Sequence, residues 1–274
     1  MESRNNLHEH LAGYDIHFFG DRDSYERWAQ QKLGHRWRQR LGNAYAGIHA
    51  KNPSHEEVRK TFDSSAHTKI AQVNLSSLYA TEFAFGEAIE KLITGRKKIL
   101  DLGCNIGHLT TWYARTDRDR HVTGVDFSLP CVHAARSKAK KLCLPNVEFQ
   151  VADVEACRLS GTYDAIVESH CLKYVKDIRR VLLHLASLLE PHGILVTTYA
   201  TLGMNNGYDL NFLLRSAGLV WQHIQSAKVF YLGQQFGCSI LVARKQTADY
   251  AQEEANPYSC WNAPATPQVI LVGA

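Results

Sequence analysis

Residues 97–128 read KKILDLGCNIGHLTTWYARTDRDRHVTGVDFS, and this stretch restricts the fold more than any other part of the chain. Ile99, Leu100 and Leu102 make a short apolar run closed by Gly103; a loop of small, turn-tolerant residues follows, and residues 109–114 resume at helical spacing. The pattern predicts strand, tight turn and helix. Glycines in such a turn let the backbone come close to a ligand at the helix start, where N–H groups lack intrahelical partners. A second apolar run, residues 122–125, ends in Asp126. An acidic residue closing the second strand of a βαβ unit commonly accepts hydrogen bonds from ribose hydroxyls.

Strand and helix alternate from there on. Strands are expected at 99–102, 122–126, 147–151, 165–168 and 194–198, with helices at 129–142 and 178–189 between them. A helix at 210–217 is capped by Gly218, and two strands, 220–230 and 239–243, then follow with no helix between them. Repeated βα units imply a parallel sheet with helices on both faces, and the closing hairpin puts one antiparallel strand into it. The expected fold is therefore α/β and Rossmann-like, a mostly parallel seven-stranded sheet with one antiparallel strand.

Residues 1–84 read as a helical cap ahead of a core at 85–245. Tyr25, Trp28, Leu33, Trp37, Leu41 and Tyr45 fall on one stripe of a helix over 24–45. Ser54-x-x-Glu57 is a capping box that starts a second helix. A third begins around Leu75 and points Leu78, Phe85, Ile89 and Leu92 at the core. Residues 246–274 carry Pro257, Pro264 and Pro267 and an apolar end at 269–272, which reads as a tail on the surface.

Composition argues against several classes. The 274 residues carry a formal charge of +4 and a pI near 8.6, short of the basicity expected of a nucleic-acid binder. No apolar run reaches membrane-span length, and the polar start MESRNNLHEH has no signal-peptide core. The seven cysteines include no C-x-x-C pair, which argues against structural zinc or a disulfide framework and for a reducing, cytoplasmic setting.

The glycine order decides between nucleotide families. A dinucleotide fold wants G-x-G-x-x-G, whereas this turn is Asp101-x-Gly103-x-Asn105-x-Gly107. It resembles the D/E-x-G-x-G-x-G turn of class I S-adenosylmethionine-dependent methyltransferases, with Asn, the residue most tolerant of left-handed backbone after glycine, replacing the middle glycine. Further matches follow in order. Asp126-Phe127 resembles the ribose ligand and its apolar neighbour, and Asp153-Val154 the pair at the adenine edge. Residues 163–167 with Leu172-x-Tyr174-Val175 resemble the fourth-strand motif, and residues 190–196 the start of strand 5. The resemblance implies S-adenosyl-L-methionine as cofactor, S-adenosyl-L-homocysteine as product and no metal. It implies cofactor contacts from Asp101, Gly103, Cys104, Asn105, Gly107, Asp126, Phe127, Asp153, Val154 and Glu168.

Methyl transfer needs an acceptor held in line with the S–CH₃ bond, and a base only where the acceptor must lose a proton. His170, directly after strand 4, and Tyr199, just past strand 5, are the candidate catalytic residues, with a packing role for His170 as the competing reading. The expected reaction is methylation of an N or O atom of a small-molecule metabolite, and a second copy of the chain is the partner this leading reading allows. Two alternatives stay open. The GCNIGH turn is similar to that of RNA-cap phosphate methyltransferases, next to a basic stretch at 32–40, and a non-catalytic cofactor-binding regulator would keep the same aspartates.

Overall fold

In the computed structural model, residues 6–49, 53–65, 69–198, 210–246 and 268–270 are described, and every structural statement below concerns them. The run Ile99 to Leu102 becomes β1 (Lys98–Leu102), buried along four of its five residues as a central parallel strand must be. It pairs in parallel with β2 (His121–Asp126) on one side and β4 (Tyr163–Glu168) on the other. β3 (Val147–Val151) lies beyond β2, and β5 (Leu189–Thr198) beyond β4. β7 (Gln234–Lys245) runs antiparallel to both β5 and β6 (Leu219–Tyr231). Strand order is β3-β2-β1-β4-β5-β7-β6, with β8 (Gln268–Ile270) parallel to β6 at the far edge. The seven expected strands are present, and the tail supplies an eighth.

The β6–β7 connection is two residues long. Leu232 and Gly233 both take positive φ, 49° and 75°, which matches the twist a two-residue hairpin requires and puts a leucine where glycine or asparagine is usual.

Alternation along β1 divides the core. Ile99 faces one layer with Val122, Ala165, Val167, Ile194 and Val196, packed by α6 (Tyr79–Leu92) and α7 (His108–Thr116) through Phe85, Ile89, Leu109 and Trp112. Leu100 and Leu102 face the other with Ile166, Leu195 and Leu241, packed by α9 (Ile178–Leu188) and α10 (Leu210–Ser216). α8 (Leu129–Lys141) sets Val132, Ala135 and Ala139 on Phe149 and Cys104.

Among the described residues before Tyr79 there are five helices. α1 (Leu7–Ala12) is built into the sheet's own core, since Leu7, Leu11, Tyr14 and Ile16 pack with α6 and α7. His10 Nε2 lies 2.7 Å from the His108 carbonyl, and the Tyr14 hydroxyl donates to the Gly107 carbonyl at 3.1 Å. The single helix expected over 24–45 is two, α2 (Arg22–Leu33) and α3 (Trp37–His49). Gly34, at φ 82°, breaks the helix between them, and the stripe Tyr25, Leu33, Trp37 still closes on Val73. The capping box opens α4 (His55–Ser65) as expected: Ser54 N donates to Glu57 Oε2 at 2.7 Å and Glu57 N to Ser54 Oγ at 3.2 Å. α5 (Lys69–Ser77) precedes α6, where one helix from Leu75 was expected.

Candidate active site

The sheet's winding reverses between β1 and β4, and their C-terminal ends leave a crevice there, the usual ligand position in open α/β sheets. A cavity of about 460 Å³ occupies it. Its floor is Asp101, Gly103, Cys104 and Asn105 of the turn with Asp126, Phe127, Asp153 and Val154 at the ends of β2 and β3. His170, Cys171 and Lys173 form one flank, and α3, α4 and α5 close the opposite side through Tyr45, His55 and Leu75.

The turn is built by close packing. Gly103 has φ 68°, and a Cβ on it would lie 2.6 Å from the Cys171 Cβ, so no other residue fits between β1 and the loop after β4. Gly107 has φ 78°, with Ala135 and Phe149 within 2.9 Å of a Cβ placed there. Asn105 takes φ 51°, the left-handed conformation its replacement of glycine requires. Its N–H donates to Asp126 Oδ2 at 2.9 Å, while Ser128 N donates to Asp126 Oδ1 at 2.9 Å. Each Asp126 oxygen therefore keeps acceptor capacity toward the cavity.

Two carboxylates under the cavity are short of positive charge. Burial pushes Asp101 up to about 7, against the 2.5 Å bond donated by Thr110 Oγ1. Burial likewise pushes Asp126 up to about 6, against its two backbone bonds. Asp153 caps a short 3₁₀ turn through Glu155 N at 3.0 Å and holds His55 Nε2 3.3 Å from its other oxygen. Phe127 sits beside that pair, with the His55 ring centroid 5.5 Å away, Phe62 at 6.2 Å and the Arg59 guanidinium over its face at 5.6 Å.

Most of the sequence-expected residues line the cavity. Asp101, Gly103, Cys104, Asn105, Asp126, Phe127, Asp153, Val154 and His170 all reach the cavity wall. Gly107 lies behind it as the cap of α7. Glu168 is off the wall altogether. It is fully buried and takes bonds from Cys171 N, Leu172 N, Thr198 N and the Thr197 and Thr198 hydroxyls, which knot the ends of β4 and β5 together and leave neither oxygen for a ligand. Tyr199 lies outside the described residues.

His170 takes φ 63°, meets Phe85 in an edge-on arrangement with ring centroids 5.1 Å apart, and has its pKa lowered by burial, with Glu82 opposing. Glu82 itself was not singled out in the sequence, although it stands on the buried face of α6 between Tyr79 and Phe85; Leu78, expected in the core, lines the cavity instead. It is 7% exposed, lines the cavity, and accepts from His108 Nε2 at 2.9 Å.

The doubly wound sheet with β7 reversed, the glycine turn after β1 and the aspartates at the C-terminal ends of β1 and β2 are arranged as in class I methyltransferase domains, which this chain resembles. The family model described as "Methyltransferase domain" matches residues 99–193 of this chain. Among curated relatives, a malonyl-[acyl-carrier protein] O-methyltransferase of Bacillus anthracis is 28% identical over 114 residues, 42% of this chain and 40% of that protein. A demethylmenaquinone methyltransferase of Tropheryma whipplei is 29% identical over 151 residues, 54% of this chain and 60% of that one. The chain thus matches less than two thirds of the length of either relative. Among solved structures, the YcgJ protein of a Bacillus species superimposes with a TM-score of 0.51 at 15% identity, covering 60% of this chain and 99% of that one, which shows the shared fold.

Proposed function

We propose that this protein is a methyltransferase that uses S-adenosyl-L-methionine to methylate an N or O atom of a small molecule. One observation carries the reading: buried, uncompensated Asp101 and Asp126 line a cavity of about 460 Å³, within the roughly 300–1,000 Å³ of small-molecule sites. A cationic ligand bearing a ribose fits both features, through its charge and its hydroxyl donors.

Asp126 would hold the ribose hydroxyls with the acceptor capacity its oxygens retain. Phe127 and Val154 would flank the adenine, and Asp153 would accept from its amino group. Gly103, Cys104 and Asn105 would shape the methionine end over Asp101. S-Adenosylmethionine supplies a methyl group on a cationic sulfur, whose C–S bond breaks as the acceptor's new bond forms.

α3, α4 and α5 act in this reading as the lid that excludes water, because their residues already wall the cavity. His170 faces the acceptor and receives its proton on an imidazole nitrogen, which burial keeps in the neutral form. The direct test is calorimetric binding of S-adenosylhomocysteine followed by transfer of a labelled methyl group to candidate metabolites. Tighter binding of NADH than of S-adenosylhomocysteine would overturn the reading.

A further inference from the structure

α6 directs Phe85 and Ile89 into the core four residues apart, and Glu82 stands three residues before Phe85 on the same face. A carboxylate there is costly unless it is paired and hydrogen-bonded. Glu82 Oε2 is paired, accepting from His108 Nε2 at 2.9 Å. Among the described residues no donor reaches Oε1, although the side chain forms part of the cavity wall.

The groups around Glu82 come from three elements. His108 stands at the start of α7, while His170 and the exposed Lys173 follow β4. Asp101 on β1 acts electrostatically on His108 from below. Burial raises the Glu82 carboxyl, but its bond to His108 and the neighbouring His108, His170 and Lys173 outweigh that and hold it below the ordinary glutamate value. Glu82 is therefore ionised near neutral pH and can only accept hydrogen bonds. His108 donates its Nε2 proton to it, which spends that imidazole on fixing the carboxylate.

From this geometry we infer that Glu82 sets the acceptor class: the cavity takes a molecule whose reacting end donates a hydrogen bond, an amine or a hydroxyl, and rejects a carboxylate. The inference rests on the methyl-transfer reading above. An N–H or O–H group meets Glu82 Oε1 as a charge-assisted donor, whereas a carboxylate there would face a second carboxylate in a poorly solvated pocket. Glu82 is a specificity-determining residue in this scheme. It orients the acceptor and is unchanged by the reaction, while the proton released on methylation goes to His170.

The test uses the full chain saturated with S-adenosylhomocysteine, with benzylamine, benzyl alcohol and benzoate as matched probes followed by ligand-observed NMR. Wild type should bind benzylamine and benzyl alcohol at least about tenfold better than benzoate, the effect of one charge-assisted hydrogen bond. Glu82→Gln, which keeps the shape and can still meet His108, should lose most of that preference while its affinity for S-adenosylhomocysteine stays within about threefold. Glu82→Asp, which keeps the charge, should retain the preference for donor-bearing probes. The inference is overturned if wild type takes benzoate as well as benzylamine, or if Glu82→Gln keeps the preference. A fall in S-adenosylhomocysteine affinity equal to the fall for benzylamine also overturns it, because the carboxylate would then serve the cofactor. Failure of wild type to bind S-adenosylhomocysteine at all, read before any probe is added, overturns the methyl-transfer reading and this inference with it.

Discussion

His55 Nε2 lies 3.3 Å from Asp153 Oδ2, so the first residue of α4 occupies the carboxylate proposed to hold the adenine amino group. The same imidazole lies 5.5 Å from Phe127, the residue proposed to flank the adenine ring. His55 therefore competes for both adenine partners and must withdraw when the cofactor enters. His55→Ala is expected to raise the association rate of S-adenosylhomocysteine several-fold. Stopped-flow mixing that showed slower association would instead make His55 part of the binding surface.

Asp126 ties the turn to β2 as well as facing the cavity, so the choice of substitution matters. Asp126→Ala would release Asn105 N and Ser128 N together with the proposed ribose bonds. Asp126→Asn keeps an acceptor for one of those N–H groups and removes the charge. It should lose a charge-assisted bond of about 1.5–3 kcal/mol, roughly a tenfold or greater drop in affinity, with only a small change in melting temperature. Calorimetry giving unchanged affinity in a folded variant would remove Asp126 from the ribose site.

Much of this was legible in the sequence because it rests on local signals. The βα alternation, the capping box at Ser54 and the left-handed Asn105 are consequences of short-range spacing and backbone preference. What escaped depends on contacts between distant segments. Glu168 closes a strand at the right end of the sheet, yet Thr197 and Thr198 from β5 take its oxygens, and no local pattern announces that. Gly34 looks tolerable inside an aromatic stripe that keeps helical spacing on both sides of it, so the break there was missed. Glu82 did leave a trace, as a charge on the apolar stripe of α6, but its partner His108 is 26 residues away. The β8 pairing with β6 needed a partner strand about 40 residues earlier.

The raised aspartates make a prediction about pH. Asp101 and Asp126 titrate at about 7 and about 6 in the fold, both above the ordinary 3.8. A carboxyl raised by folding binds its proton more tightly in the native state, so its stabilising contribution is complete below about 4 and is lost as pH rises through the folded value. The ligand-free protein should therefore lose stability between about pH 5 and pH 8, by up to a few kcal/mol. Asp101→Asn should flatten that slope in thermal melts. A cationic cofactor reverses the sign, since it favours the ionised aspartates, and S-adenosylmethionine affinity should rise over the same interval. A pH-independent affinity would sever the link between these carboxyls and the cofactor charge.

His170→Asn is the sharpest test of the proposed proton acceptor, because the backbone tolerates it. His170 sits at φ 63°, a left-handed conformation that asparagine adopts readily, so the variant should fold without added strain there. Asparagine keeps a polar side chain in the cavity but cannot take a proton near neutral pH. If the acceptor's proton goes to His170, turnover should fall by about 10²–10⁴-fold while S-adenosylhomocysteine affinity holds. The pH profile gives a second reading. Burial lowers the His170 pKa, so the imidazole stays neutral, and wild-type activity should persist, to lower pH than a free imidazole of about 6.5 would allow. In the variant that acidic limb should disappear. If His170 only packs against Phe85, melting temperature should fall together with turnover and the limb should remain. Turnover within a few-fold of wild type would leave positioning alone, or Tyr199, to account for proton release.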